Sequence, residues 1–138
     1  MKRFVVACTL LLMATVASPA VAPAAEPPNP AIEAVVTRQL DAFRRNDAVA
    51  AFAMASPTIQ GLFGDAQTFI SMVERGFRPI WRSSRHRFVS LEIADGRLIQ
   101  RVLIDGADGM TVVARYEMIE IGGQWRINSC TLEKGESA

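Results

Sequence analysis

Two cysteines, one histidine and one tyrosine are all that this chain holds of thiol, imidazole and phenol side chains. A zinc or iron site draws on several His, Cys or carboxylate ligands, so a lone imidazole and isolated thiols argue against a metal centre and against a cofactor held that way. Cys8 falls in a stretch that reads as a removable leader. Cys130 is then left alone, and no intrachain disulfide can form. An unpaired cysteine is either buried and inert or free to bridge to another chain, and free Cys is among the most buried residue types. Charge of one sign is lacking as well. The 15 Lys+Arg lose Lys2 and Arg3 with the leader, which leaves 13 against 14 Asp+Glu and a mature net charge of −1. A nucleic-acid partner asks for a basic domain, so none is expected. No apolar run reaches the roughly 20 residues of a membrane span.

What stands at the N-terminus is a secretory pattern. Lys2 and Arg3 precede a nearly apolar stretch from Phe4 to Val16, and small residues crowd Pro19 to Ala25. Ala22-Pro23-Ala24 has the small-x-small form of a cleavage site, so cleavage is expected after Ala24. The apolar part before Cys8 is too short for lipidation there. The other reading of the stretch is a buried N-terminal helix. On the first reading, residues 1–24 are a signal peptide, 25–29 a linker and 30–138 one domain, and the protein is exported to the periplasm or beyond.

The domain itself changes periodicity halfway. Asn29 is a good helix cap with Pro30 at the first helical position, and Ile32, Val35, Val36, Leu40 and Phe43 recur at helical spacing, so a helix is expected from Pro30 to Arg45. Asn46 can take the left-handed conformation that ends it. Asp47 would cap a second helix to Ala55 with a stripe of Val49, Phe52 and Ala53. Ser56-Pro57 opens a further turn with Ile59, Leu62 and Phe63, broken at Gly64. Asp65 caps a helix carrying Ala66, Phe69, Ile70 and Val73. Pro79 forbids helix from Phe77 to Arg82.

From Ser83 the period is two. Strands are expected at about Arg85–Ile93, Arg97–Asp105, Met110–Ile121 and Gln124–Glu133, with Asp95-Gly96 and Gly122-Gly123 as tight hairpin loops. Helices followed by a four-stranded antiparallel meander define an α+β fold. Regular pairing across these loops sets Ile93 against Leu98, Leu91 against Gln100, Ser90 against Arg101, Val89 against Val102, Phe88 against Leu103 and His86 against Asp105. At the other hairpin it sets Glu120 against Trp125, Met118 against Ile127 and Tyr116 against Ser129. If the middle loop is regular too, Phe88, Leu103, Val112, Tyr116, Met118, Trp125 and Ile127 face the helices.

Several segments in order carry a family resemblance: AVVTRQLDAF from Ala34 to Phe43, FAMASP from Phe52 to Pro57, MVERGFRPIWR from Met72 to Arg82, QRVL from Gln100 to Leu103, and WRINSCTL from Trp125 to Leu132. Together they resemble the bacterial family termed domain of unknown function 4864, within the nuclear-transport-factor-2-like (NTF2-like) superfamily. The resemblance implies a cone-shaped α+β fold with a curved sheet and a pocket between sheet and helices. It implies no reaction and carries no catalytic residues, because that architecture hosts enzymes and binding modules alike.

The candidate pocket residues are Arg101, Tyr116, Ser90, His86 and Asp105. His86 beside Asp105 could be an oriented base or an ordinary cross-strand polar pair. Arg101 on the aromatic face could grip a ligand carboxylate or phosphate, or bridge to Glu92. The Tyr116 hydroxyl could donate to a ligand oxygen, or be satisfied by Ser129. Trp81 with Arg82, Arg85 and Arg87 forms a basic aromatic stretch, read as a solvated strand entry or a contact for an anionic surface. The carboxylates Glu92, Asp105 and Glu120 are expected toward strand ends, so a non-catalytic module binding a small, partly apolar ligand or a protein partner is favoured over an isomerase-, dehydratase- or hydrolase-type enzyme. The remaining sheet face, with Val89, Leu91, Val102, Val113, Ile119 and Leu132 and with Cys130 beside Arg115, is apolar enough to suggest a homodimer.

Overall fold

A computed structural model describes residues 16–134. The positive and apolar parts of the expected leader before Val16 lie outside those residues. Among the described residues no helix is long and apolar enough to cross a membrane.

Among the described residues the first element is a short edge strand β1 (Ala24–Glu26), followed by five helices, α1 (Pro30–Arg44), α2 (Ala48–Ala53), α3 (Pro57–Phe63), α4 (Ala66–Gly76) and α5 (Arg78–Trp81). Four long strands follow, β2 (Ser83–Ala94), β3 (Arg97–Gly106), β4 (Thr111–Ile121) and β5 (Gln124–Lys134). The sheet is antiparallel and five-stranded, in the order β1-β2-β3-β4-β5. The α+β class thus holds, with one strand more than the meander expected, because Ala24, the last residue of the expected leader, pairs with Ile93, and Ala25 and Glu26 of the anticipated linker pair with Glu92 and Leu91.

The helix signals act as their chemistry demands. Asn29 accepts from the Ala31 and Ile32 amides, Asp47 from Ala50, Ser56 from Ile59 and Asp65 from Thr68. Asn46 takes φ 54° and Gly64 φ 80°, closing α1 and α3. Ile32, Val35, Val36, Leu40 and Phe43 all enter the core from α1, and Phe69, Ile70 and Val73 from α4. Two expectations fail locally. In α2 it is Ala51 that is buried while Val49 stands in solvent. Pro79 does not prevent helix, because it sits in the first turn of α5, where a missing amide hydrogen costs no intrahelical bond.

Both tight hairpins form as expected, with positive φ at Asp95, Gly96, Gly122 and Gly123. Near each turn the register is the anticipated one: Ile93 faces Leu98, Leu91 faces Gln100, Ser90 faces Arg101, and Met118 faces Ile127. Farther along, extra residues at Ser84, Val89 and Asn128 shift it. Val89 is an extra residue in β2, so Phe88 meets Val102, His86 meets Ile104, and Arg85 rather than His86 meets Asp105. Asn128 is an extra residue in β5, so Cys130 rather than Ser129 meets Tyr116. The middle loop also sets Ile104 against Val112 and Leu103 against Val113.

The sheet faces therefore differ from the regular-register expectation. Leu91, Gln100, Val102, Ile104, Val112, Ala114, Tyr116, Met118 and Ile127 are buried on the helix-facing side. Leu98, Cys130 and Leu132 join them, partly buried against the same core. Arg101, Leu103, Val113, Arg115, Glu117 and Ile119 alternate onto the outer side and are all only partly buried. The dimer face expected from the sequence is thus not one surface. Leu91, Val102 and Leu132 turn toward the helices, while Val113 and Ile119 turn away.

Candidate functional site

The helices and the inner sheet face do not close completely on each other. Between them lies a cavity of about 230 Å³. Its walls come from Gln39 and Phe43 of α1, Ile59, Leu62 and Phe63 of α3, and Phe69, Met72 and Val73 of α4. Phe77 and Ile80 add to them, and Tyr116, Ile127 and Cys130 form the sheet side. Spacing explains these contributions. Gln39 and Phe43 lie one turn apart on α1, as do Phe69 and Val73 on α4, so each helix offers one stripe. Phe69 is packed against Phe43, Phe52 and Phe63, with ring centroids 6.2, 5.4 and 5.6 Å away. Leu62, 73% exposed, marks the rim where the cavity meets solvent.

Polar atoms are few in this wall. One N–H of the Gln39 amide donates to the Ala51 carbonyl at 3.2 Å. Ser129 lines the cavity, but its hydroxyl donates to Glu117 at 3.2 Å. Tyr116 is 1% exposed, and its hydroxyl has no hydrogen-bond partner. Cys130 is its polar neighbour. The two side chains lie within hydrogen-bonding reach and influence each other's ionisation, although no bond of good geometry forms between them. Burial, and then the adjacent Cys130, hold the Tyr116 hydroxyl well above the ordinary phenol range, so it stays protonated. Burial pushes the Cys130 thiol up to about 12. Cys130 keeps part of its surface accessible and lines the cavity rather than the outer face where it was expected.

Of the residues singled out from the sequence, Tyr116 alone lines the cavity. Arg101 lies on the opposite sheet face, where it reaches Glu133 at 3.3 Å rather than Glu92. Glu133 also meets Arg115 at 3.6 Å, so one carboxylate spans two cross-strand guanidinium groups. Ser90, facing Arg101, shares that outer side, and its hydroxyl is buried without a partner. The Val89 bulge separates His86 from Asp105. His86 lies 3.3 Å from the Thr37 hydroxyl and stacks edge-on with Phe88. Its pKa is lowered, first by burial and then by Arg44, which favours the neutral ring. Asp105 instead pairs with Arg85 at 3.2 Å and accepts from Thr111 at 2.9 Å. The basic aromatic stretch splits as well. Arg82 lies over the Trp81 ring at 5.2 Å beside an open groove with Glu74, Arg75, Arg78 and Asp108. Among the described residues no group of three or more His, Cys, Asp or Glu gathers as metal ligands would.

Cys130 and the helical wall of the cavity were not legible as site residues. Phe43, Phe69 and Val73 carry a core signal at helical spacing, and periodicity does not distinguish a side chain that packs from one that borders a void. Cys130 reaches the cavity only because Asn128 bulges.

Helices on one face of an antiparallel meander, with an apolar cavity between the layers, define the class: an α+β domain with an internal pocket. The family model described as Domain of unknown function (DUF4864) matches residues 25–138, and the chain belongs to that family. Neither the curated proteins nor the solved structures contain a match to the chain.

Proposed function

We propose that this is an exported, non-catalytic binding module of NTF2-like architecture that holds a small, largely apolar ligand between its helices and its sheet. The observation that carries the reading is the cavity of about 230 Å³, apolar on nearly every side. Pre-formed apolar clefts with a few placed polar groups are the common form of small-molecule sites. An enzyme would need a base within reach of the bound molecule. The residues lining this cavity include no carboxylate and no imidazole, and His86 is engaged with Thr37 elsewhere, which favours binding over catalysis.

Export is supported by Lys2 and Arg3, the apolar stretch from Phe4 to Val16, and Ala22-Pro23-Ala24. Two copies would associate through the outer sheet face, where Leu103, Val113 and Ile119 remain only partly buried.

Native mass spectrometry of protein purified from the periplasm tests the reading. The expected result is a mature chain beginning near Ala25 that carries a small organic molecule, released on unfolding. A chain that carries nothing, and that fails to respond when titrated with compact apolar compounds, would overturn the binding role. A chain still beginning at Met1 would overturn export.

A further inference from the structure

We propose that the groove between α4, α5 and the β3–β4 loop is a second binding site, built for a dianion of the phosphate-ester class. It shares no lining residue with the apolar cavity. Val73, Phe77 and Ile80 line the cavity from this helical segment, while Arg75, Arg78 and Arg82 line an open groove of about 680 Å³. Either site can exist without the other.

Unmet charge marks the groove. Arg44, Arg45, Arg85, Arg97, Arg101 and Arg115 each reach a carboxylate within 4.0 Å. Among the described residues Arg75, Arg78 and Arg82 form no such pair, and all three are exposed. Arg38 and Arg87 are unpaired as well, but neither lines this groove. Glu74 and Asp108 do line it, so three cations stand against two carboxylates. Asp108 is partly committed, because its Oδ1 accepts from the Met110 amide at 3.0 Å. The chain as a whole is near neutral, with 15 Lys+Arg against 14 Asp+Glu, so the excess is local. Guanidinium groups that share a groove without counter-ions repel one another, and a bound anion relieves the repulsion.

The walls are fixed in advance. Arg82 lies over the Trp81 ring at 5.2 Å. Trp81 is itself buried, with its ring centroid 6.1 Å from that of Phe43. The cation is thus held on an aromatic face rooted in the core. Across the groove the Ala107 amide donates to the Arg82 carbonyl at 2.7 Å. Gly106 packs so closely that a side-chain carbon there would lie 3.2 Å from Pro79 Cα. Loop and helix form one unit, and an anion meets a groove that is already shaped.

The number of cations selects the ligand. Planar guanidinium forks match the oxygens of phosphate. A carboxylate or a sulfate ester brings one negative charge. A phosphate monoester brings close to two near neutral pH, with three acceptor oxygens, and so answers more of the groove at once. A soluble ester and a lipid phosphate headgroup present this same chemistry.

Phenyl phosphate and phenyl sulfate share a shape and differ in charge. Each is titrated into the mature chain at slightly alkaline pH and physiological ionic strength, and amide chemical shifts are followed. Phenyl phosphate is expected to shift the amides around Arg78 and Asp108 and to bind about tenfold more tightly than phenyl sulfate. Arg78→Gln removes an exposed side chain with no protein partner, so the fold is kept, and it should weaken phenyl phosphate about tenfold. Arg87→Gln makes the same charge change outside the groove and should leave binding unchanged. Phosphatidylcholine vesicles carrying phosphatidic acid separate the two sources. Co-sedimentation that Arg78→Gln abolishes assigns a lipid headgroup; phenyl phosphate binding without co-sedimentation assigns a soluble ester. Equal affinity for the two phenyl esters, or an equal loss in Arg87→Gln, would reveal only diffuse attraction to surface cations and overturn the site. Failure of both phenyl phosphate and the vesicles to bind would overturn it too. Neither failure touches the apolar cavity, which shares no lining residue with the groove.

Discussion

Tyr116 Oη is buried beside the Cys130 thiol and makes no hydrogen bond of good geometry. A buried hydroxyl left without a partner costs about 1–3 kcal/mol relative to its hydrated state. Tyr116→Phe removes that cost and leaves the ring in place. The variant is expected to be as stable as wild type or up to about 2 kcal/mol more stable in urea unfolding at unchanged m-value; a loss would mean that the hydroxyl has a structural partner. Cys130 makes a pH-dependent counterpart. An unfolded thiol titrates near about 8.5, whereas burial raises the folded one to about 12. The folded state holds its proton where the unfolded state has released it. The contribution is therefore fully present below about pH 8.5 and is lost as pH rises toward the folded value. Stability should decline more steeply between pH 8 and 10 in wild type than in Cys130→Ala, and thiol reagents at pH 8 should label Cys130 slowly until denaturant is added. At this scale the sequence disclosed Tyr116 but not its surroundings. Ser129 was its expected partner, and a single bulged residue put Cys130 there instead.

Among the elements, the bulges at Val89 and Asn128 separate what could be read in advance from what could not. Turn chemistry fixed the first pairs beyond each hairpin, since Asp95-Gly96 and Gly122-Gly123 admit few geometries. Nothing in the alternation of β2 or β5 marks an inserted residue, and one insertion reverses the face of every side chain beyond it. That is why His86 and Asp105 parted. The Asn128 bulge is stabilised from outside the sheet. Its side chain accepts from Ser56 Oγ at 2.8 Å and donates to Glu117 at 3.3 Å. Next to it, Ile127 exchanges backbone bonds with Met54 and Ser56 at 2.9 and 2.8 Å. Ser56 also caps α3, a helix with no buried residue of its own that forms one wall of the cavity. Ser56→Ala removes a cap and a partner of Asn128 together and should cost about 1–2 kcal/mol. Hydrogen exchange should show α3 amides opening well before those of α1, faster still in the variant, and slower when the cavity is occupied.

For the molecule as a whole, the decisive question is which sheet face meets the helices, and one pair of valines answers it. Regular pairing would set Val102 and Val113 on the same outward face. The structure sets them on opposite faces. Val102 is 0% exposed among the core residues, opposite Ala114. Val113 is partly buried on the outer side, between Leu103 and Glu133. An arginine in place of Val102 would bury a cation with no carboxylate within the core cluster. The cost of more than about 4 kcal/mol is a large part of the stability of a domain this size. Val102→Arg is therefore expected to lose cooperative unfolding and to accumulate as insoluble chain, rather than to yield folded monomers. An arginine in place of Val113 can extend along the outer face toward Glu133, which already meets Arg101 and Arg115. Val113→Arg should remain folded, within about 1 kcal/mol of wild type in urea unfolding. If two copies associate through this face, the same substitution should also lower the mass measured by light scattering at micromolar concentration. A soluble, cooperatively folding Val102→Arg beside an unfolded Val113→Arg would show that the sheet is turned the other way, and would remove the cavity wall on which the ligand site depends.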